Sequence, residues 1–208
     1  MKHSFRSFSH LRLPVALALA LAGLPAWTSA EEADPAALIA ALQGGGHVIY
    51  IRHTATEADY ADQISAVMGD CSSQRVLSEK GWQQARTIGK AVIDWQIPVG
   101  EVLSSQYCRA WQTADLAFGH YEQRPALNFE PAETYTEAQT ATMRDNVLPL
   151  LVSLPQTGNR VIVGHDDPFE AATGIYPEPQ GVAYVLRPDG KGGLTVLGHI
   201  APDAWPAP

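Results

Sequence analysis

The sequence predicts an α/β fold, doubly wound, built as a three-layer sandwich with a mostly parallel central sheet between two layers of helices. Three observations predict it. His47 to Arg52 is β-rich and apolar on both faces, as a strand buried inside a parallel sheet must be. Arg160 to Val163 repeats that signature, and stretches with helical periodicity lie between the two.

Residues 1–30 stand outside this fold. Lys2, Arg6 and Arg12 precede the apolar run Leu13 to Leu24, and small residues follow, ending at Ala30. That order is expected of a secretory signal peptide. The run falls short of the roughly 20 apolar residues that span a bilayer, so no stable membrane anchor is expected after cleavage. Residues 31–208 are then a single domain of about 178 residues, enough for one sizeable core. A periplasmic or secreted location follows as an expectation.

The elements read in order. Asp34-Pro35 is an N-cap and first-turn signal for a short helix over Ala36 to Gln43, stopped by Gly44, Gly45 and Gly46. The first strand follows at His47 to Arg52. Ser78 caps a helix to about Trp95, in which Trp82, Ala85, Ile88, Val92 and Trp95 recur at three and four residues, and Pro98 ends it. Glu101 to Ser104 reads as a strand, Tyr107 to Phe118 as a helix, and Thr136 to Leu154 as a helical stretch interrupted or kinked at Pro149. After the strand at Arg160 to Val163, Pro168 to Ala171 opens a further helix. Val182 to Leu186 and Leu194 to Ile200 flank Pro188-Asp189-Gly190 and Gly192-Gly193, the pattern of a terminal hairpin. No internal repeat is visible, and the Pro-rich tail from Pro202 is expected to be irregular.

Charge narrows the partners. The chain has 14 Lys and Arg against 22 Asp and Glu, a formal net charge of -8. Loss of the three signal-peptide cations takes it to about -11. Neither nucleic acid nor an anionic membrane suits such a surface. An acidic protein that handles phosphate must gather its few cations locally. Cys71 and Cys108 are the two cysteines. Export would place them where disulfides persist, although their spacing alone does not establish a bridge.

The cations do gather at strand ends. Arg52-His53 closes the first strand, Arg109 follows the second closely, and Gly164-His165 follows the third. The carboxyl ends of the strands of an open α/β sheet line the ligand crevice, so these side chains converge. Two arginines and two histidines describe a phosphate pocket, because the guanidinium offers a fixed fork of donors matched to phosphoryl oxygens.

Four segments resemble the histidine phosphatases. They are Ile51-Arg52-His53-Thr54, with Thr where Gly is commoner; the segment from Leu77 to Ala85; Ser104 to Ala114, around Arg109; and Val161-Ile162-Val163-Gly164-His165. Their order over about residues 45 to 175 is more specific than any one of them. The resemblance implies a phosphoglycerate mutase-like fold and His53 as nucleophile, forming a phosphohistidine. Arg52, Arg109 and His165 would meet the charge on the phosphoryl oxygens, without metal or other cofactor. Thr56 and Arg75, in the loop after the first strand, are candidates to bind substrate beside them.

A phosphomonoesterase also needs a general acid for the leaving oxygen. Relatives resembling phosphoglycerate mutases supply a Glu after the second arginine, which points to Glu133, or less directly to Glu137. Those resembling acid phosphatases use an Asp directly after the second histidine, which is Asp166. Both remain open. The chain lacks the large insertion of the phytase-like branch, so the compact branch is expected.

The expected activity is hydrolysis of a small phosphomonoester, such as a sugar phosphate. A phosphoryl-transferring mutase, a phosphohistidine phosphatase and a non-catalytic phosphate or phosphoglycan binding module are the alternatives. Other phosphate chemistries lack their motifs: Cys71 and Arg75 are four apart rather than six, and neither a Walker loop nor a G-x-S-x-G elbow occurs. Specificity is expected in the loops Ala55 to Gln74 and His120 to Tyr135, which carry Tyr60, Met68, Tyr121 and Phe129.

Overall fold

The computed structural model describes residues 33–57, 62 and 64–207. The signal-peptide expectation and Tyr60 fall outside the described residues. No helix among the described residues is long and apolar enough to cross a membrane.

The elements are α1 (Pro35–Gln43), β1 (Val48–Arg52), α2 (Glu79–Asp94), β2 (Val99–Ser104), α3 (Cys108–Phe118), β3 (Glu122–Gln123), α4 (Glu137–Val152), β4 (Asn159–Gly164), α5 (Asp166–Thr173), β5 (Ala183–Pro188) and β6 (Leu194–Ile200). They form a six-stranded sheet in the order β3-β2-β4-β1-β5-β6. The β3-β2, β2-β4 and β4-β1 pairs are parallel. The terminal hairpin adds two antiparallel pairs, β1-β5 and β5-β6. The sheet is thus mixed, its parallel part carrying the strand ends of interest.

Alternation along the strands sorts the core into two layers. Ile49 and Ile51 of β1, with Val161 and Val163 of β4, pack against Leu38 and Leu42 of α1, Ile88 and Val92 of α2, and Ala110 and Ala114 of α3. Val48 and Tyr50, with Ile162, face Val147 and Leu151 of α4 and Phe169 of α5. Every residue of β1 and β4 is buried, which explains why both strands read as apolar on both faces.

The helix ends follow their caps. Asp34 accepts from the Ala36 amide, Ser78 from the Gly81 amide, and Thr136 and Gln139 form a reciprocal capping box. Gly81 has a further role: a Cβ there would lie 2.0 Å from the Ala55 carbonyl oxygen. Only glycine lets the first turn of α2 press onto the loop that leaves β1.

Two boundaries differ from the sequence reading. α4 continues through Pro149 for three residues, since a proline so near a helix end forfeits little of the hydrogen-bond ladder. α5 begins at Asp166, directly after His165, rather than at Pro168. Pro168 then occupies the first turn, where its missing N–H costs nothing. The tail is irregular but anchored, as Trp95 Nε1 donates to the Pro206 carbonyl at 2.9 Å.

Candidate active site

β1, β4 and the N-terminus of α3 deliver the cationic residues to one end of the sheet. Arg52 pairs with Gly164 in register across β1 and β4, so His53 and His165 leave adjacent parallel strands side by side. Their rings lie 5.5 Å apart between centroids, and both are fully buried.

Hydrogen bonding sets the state of His53. Its Nδ1 donates to the Thr54 carbonyl oxygen at 2.9 Å, which leaves the lone pair on Nε2. Arg109 Nε donates to that lone pair at 3.2 Å, and an Arg75 terminal nitrogen approaches it at 3.4 Å. Burial, then the charges of Arg109, Arg75 and Arg52, hold the imidazole well below its usual pKa. His53 is therefore a neutral ring presenting one nucleophilic nitrogen to guanidinium donors.

His165 is pinned by its neighbours. Tyr50 Oη donates to the His165 carbonyl at 2.7 Å and accepts from the His165 amide at 2.9 Å. Gly164 makes room for it, because a Cβ there would stand 2.3 Å from the Tyr50 hydroxyl. His165 Nε2 and Ser105 Oγ are 2.7 Å apart, and Ser105 Oγ accepts from the Tyr107 amide. When Ser105 gives its hydroxyl proton to Nε2, the ring proton resides on Nδ1, a buried atom with no protein partner among the described residues. In that state His165 has a donor to offer a phosphoryl oxygen. Tyr107 and Phe129 meet the ring edge-on. Burial and then Arg109 and His53 depress its pKa as well.

The arginines are held by groups distant in sequence. Arg109 pairs with Asp62 at 2.8 Å, with both side chains almost completely buried, and the same carboxylate oxygen accepts from the Arg75 amide. Removing one partner of such a pair costs about 3–5 kcal/mol, because the other charge stays buried. Arg52 donates to the Pro177 carbonyl at 3.0 Å and to Asp166 Oδ2 at 2.6 Å, beside the ring of Tyr176. Tyr176 Oη also donates to Asp166 Oδ2 at 2.9 Å. Arg52 Nε is buried with no protein partner among the described residues, a donor left for a ligand.

These side chains line a cavity of about 800 Å³. Arg52, Arg75 and Arg109 form its cationic wall, with Thr56, Phe129, Asp166 and Asp167 around them. His53 and His165 lie beneath that wall rather than on its surface. A phosphate must therefore draw the Arg109 and Arg75 forks from His53 Nε2 onto its own oxygens before the nitrogen can reach phosphorus. The disulfide between Cys71 and Cys108, with Cα atoms 5.7 Å apart, ties the loop bearing Arg75 to the helix bearing Arg109.

Of the residues singled out in the sequence, the structure brings together Arg52, His53, Arg75, Arg109, His165, Thr56 and Asp166. Glu133 is exposed on the loop before α4 and does not line the cavity. Glu137, the first residue of α4, is exposed too. Asp62, Tyr176 and Ser105 were missed, since each is an ordinary loop residue until the fold gives it a partner. Among the described residues, no group of three or more His, Cys, Asp or Glu is placed to hold a metal ion.

A sheet with paired histidines and arginines at its strand ends defines a phosphate-handling α/β protein. Residues 48–137 match the family model of the histidine phosphatase superfamily (branch 1). No curated protein matches it. Among solved structures it is similar to a mutant phosphoserine phosphatase of Entamoeba histolytica in complex with phosphoserine, with a TM-score of 0.57, 14% identity, and coverage of 76% of this chain and 98% of that one. It is also similar to the protein histidine phosphatase SixA complexed with tungstate, with a TM-score of 0.56, 16% identity, and coverage of 76% and 97%. A third likeness is to a structure from Thermus thermophilus, with a TM-score of 0.50, 22% identity, and coverage of 74% and 99%. At these identities the likeness is one of fold.

Proposed function

We propose that this chain is an exported phosphatase that hydrolyses a small phosphomonoester through a phosphohistidine on His53. The observation that carries the reading is the His53 ring itself: neutral, locked as a tautomer by Thr54, with its free nitrogen facing two guanidinium groups.

In the first step the Nε2 lone pair attacks phosphorus in line, the N–P bond forms, and the bond from phosphorus to the ester oxygen breaks. Arg52, Arg75, Arg109 and His165 neutralise the charge carried by the phosphoryl oxygens. Water then attacks the phosphohistidine, the N–P bond breaks, and inorganic phosphate leaves with the lone pair restored to Nε2. Nothing in these steps draws on a group outside the chain and water.

The cavity is of the size that takes a small molecule, and its mixed wall of cations, carboxylates and amides suits a hydroxylated phosphomonoester such as a sugar phosphate. The similar structures carry names that concern a phosphoserine phosphatase and a protein histidine phosphatase, so ester and phosphoamidate substrates both belong in the range to be tried. Export rests on the pattern of residues 1–30, and the Cys71–Cys108 bridge is compatible with an oxidising compartment.

The test is phosphate release from an aryl phosphate by the mature protein, with chelator present, comparing wild type with His53→Ala. Release that survives chelator and is lost in a folded variant supports the reading. Undiminished release in the variant overturns it. Phosphate binding without release by the wild type identifies a non-catalytic binding module.

A further inference from the structure

The two general-acid candidates of the sequence, Glu133 and Asp166, are both poorly suited by position. Glu133 lies outside the cavity lining. Asp166 lines it, but its Oδ2 receives two donors, Arg52 at 2.6 Å and the Tyr176 hydroxyl at 2.9 Å. Both donors occupy that oxygen, so Asp166 is built to orient Arg52.

The next residue differs. Asp167 lines the same cavity as Arg52, Arg75 and Arg109, two residues after His165. Among the described residues it makes no ion pair; its Oδ2 accepts from the Tyr135 hydroxyl at 2.9 Å, which fixes the carboxyl group in place. Asp166 and Glu170 are the nearby carboxylates that disfavour a second negative charge, while Tyr135 and Arg52 oppose them. Partial burial and then Asp166 dominate, and the carboxyl is raised above the ordinary range. The α5 N-terminus opposes this. Two adjacent carboxylates thus stand in different settings, one bonded to its arginine and the other partly buried beside it with its pKa raised.

We propose that Asp167 is the general acid of this site, and that Asp166 is a positioning residue for Arg52. The assignment rests on the phosphatase reading above. As His53 Nε2 bonds to phosphorus and the ester oxygen departs, the Asp167 proton passes to that oxygen and an alcohol leaves. The Asp167 carboxylate then takes a proton from the water that attacks the phosphohistidine. The cycle returns His53 with its lone pair and Asp167 protonated, having turned ester and water into alcohol and phosphate.

The experiment compares wild type, Asp167→Asn and Asp166→Asn on two substrates, glycerol 2-phosphate, whose alkoxide needs a proton, and 2,4-dinitrophenyl phosphate, whose leaving group does not. Asp167→Asn is expected to lower kcat on the alkyl ester by about 10²- to 10⁴-fold while largely keeping the dinitrophenyl rate. Asp166→Asn is expected to raise KM on both substrates alike. Equal losses on the two esters in Asp167→Asn, no loss on the alkyl ester, or a leaving-group-dependent loss in Asp166→Asn each overturns the assignment but leaves the phosphatase reading standing. A wild type inert toward both esters overturns the two together. The wild-type dependence on leaving-group pKa needs no variant: a shallow dependence supports an internal acid, and a steep one overturns it.

Discussion

Replacing both cysteines by alanine tests how the loop after β1 is held to the site. The Cys71–Cys108 bridge closes a segment spanning 37 residues. Loop-closure entropy for that length amounts to about 4 kcal/mol at 25 °C, removed from the unfolded chain by the bridge. In a domain of this size that corresponds to a loss of about 8–16 °C in Tm. The consequence reaches the site as well. Gln74 Oε1 accepts from the Cys108 amide at 2.8 Å, and the neighbours of this bonded pair are Arg75 and Arg109. Without the covalent tie, the loop and the helix remain linked through buried Asp62, whose Oδ2 accepts from the Arg75 backbone amide and from the Arg109 guanidinium. The double variant should therefore show a raised KM for an aryl phosphate at a temperature where it is still folded. Calorimetry or thermal circular dichroism, followed by steady-state kinetics, reads both effects, and wild type treated with reductant provides a chemical check. An unchanged Tm would refute the entropic argument. A lowered Tm with unchanged KM would refute the link between the bridge and the arginine pair.

Tyr50→Phe removes both hydrogen bonds to the His165 backbone and leaves a buried amide and carbonyl unpaired, at about 1–3 kcal/mol each. Denaturant unfolding should show that loss, and kcat should fall although Tyr50 touches no substrate; full activity would mean that His165 holds its place without the phenol. Stability should also depend on pH through His53 and His165, whose pKa values are depressed in the fold. Below about pH 6.5 the unfolded chain binds protons that the native rings refuse, so stability falls as pH drops through that region, by up to about 1.4 kcal/mol per pH unit for each ring. Above about pH 6.5 both states are neutral and the contribution is complete. Asp167 works with the opposite sign, since its raised pKa takes stability away as pH rises above the unfolded carboxyl value. Urea midpoints from pH 5 to 8 measure the balance, and a flat profile would show that the histidines are not held neutral.

The strands and helices were legible because their signals are local. β1 and β4 announce themselves through unbroken β-branched and aliphatic runs, and α2 through the recurrence from Trp82 to Trp95 behind the Ser78 cap. Even here exposure departs from the pattern: Trp82 is about half exposed, so periodicity marked the helix without marking every buried residue. Arg52, His53, Arg109 and His165 were legible for a related reason, as each stands at or shortly after the end of a strand and the topology of an open sheet sends strand ends to one place.

What the sequence by itself determined, then, was the α/β class, the order of elements, and the histidines and arginines at the strand ends, because each depends on residues close together along the chain. Tertiary structure decided the rest. It set Asp62 against Arg109 across 47 residues, Tyr135 against Asp167 across 32, and Arg52 against Asp166 across 114. It also brought Cys71 and Cys108 within bonding distance. Adjacent Asp166 and Asp167 are the same residue type in the same helical turn, and no local pattern separates them. Their partners do: a guanidinium bonds one carboxylate, while burial and then the charge of that carboxylate raise the pKa of the other.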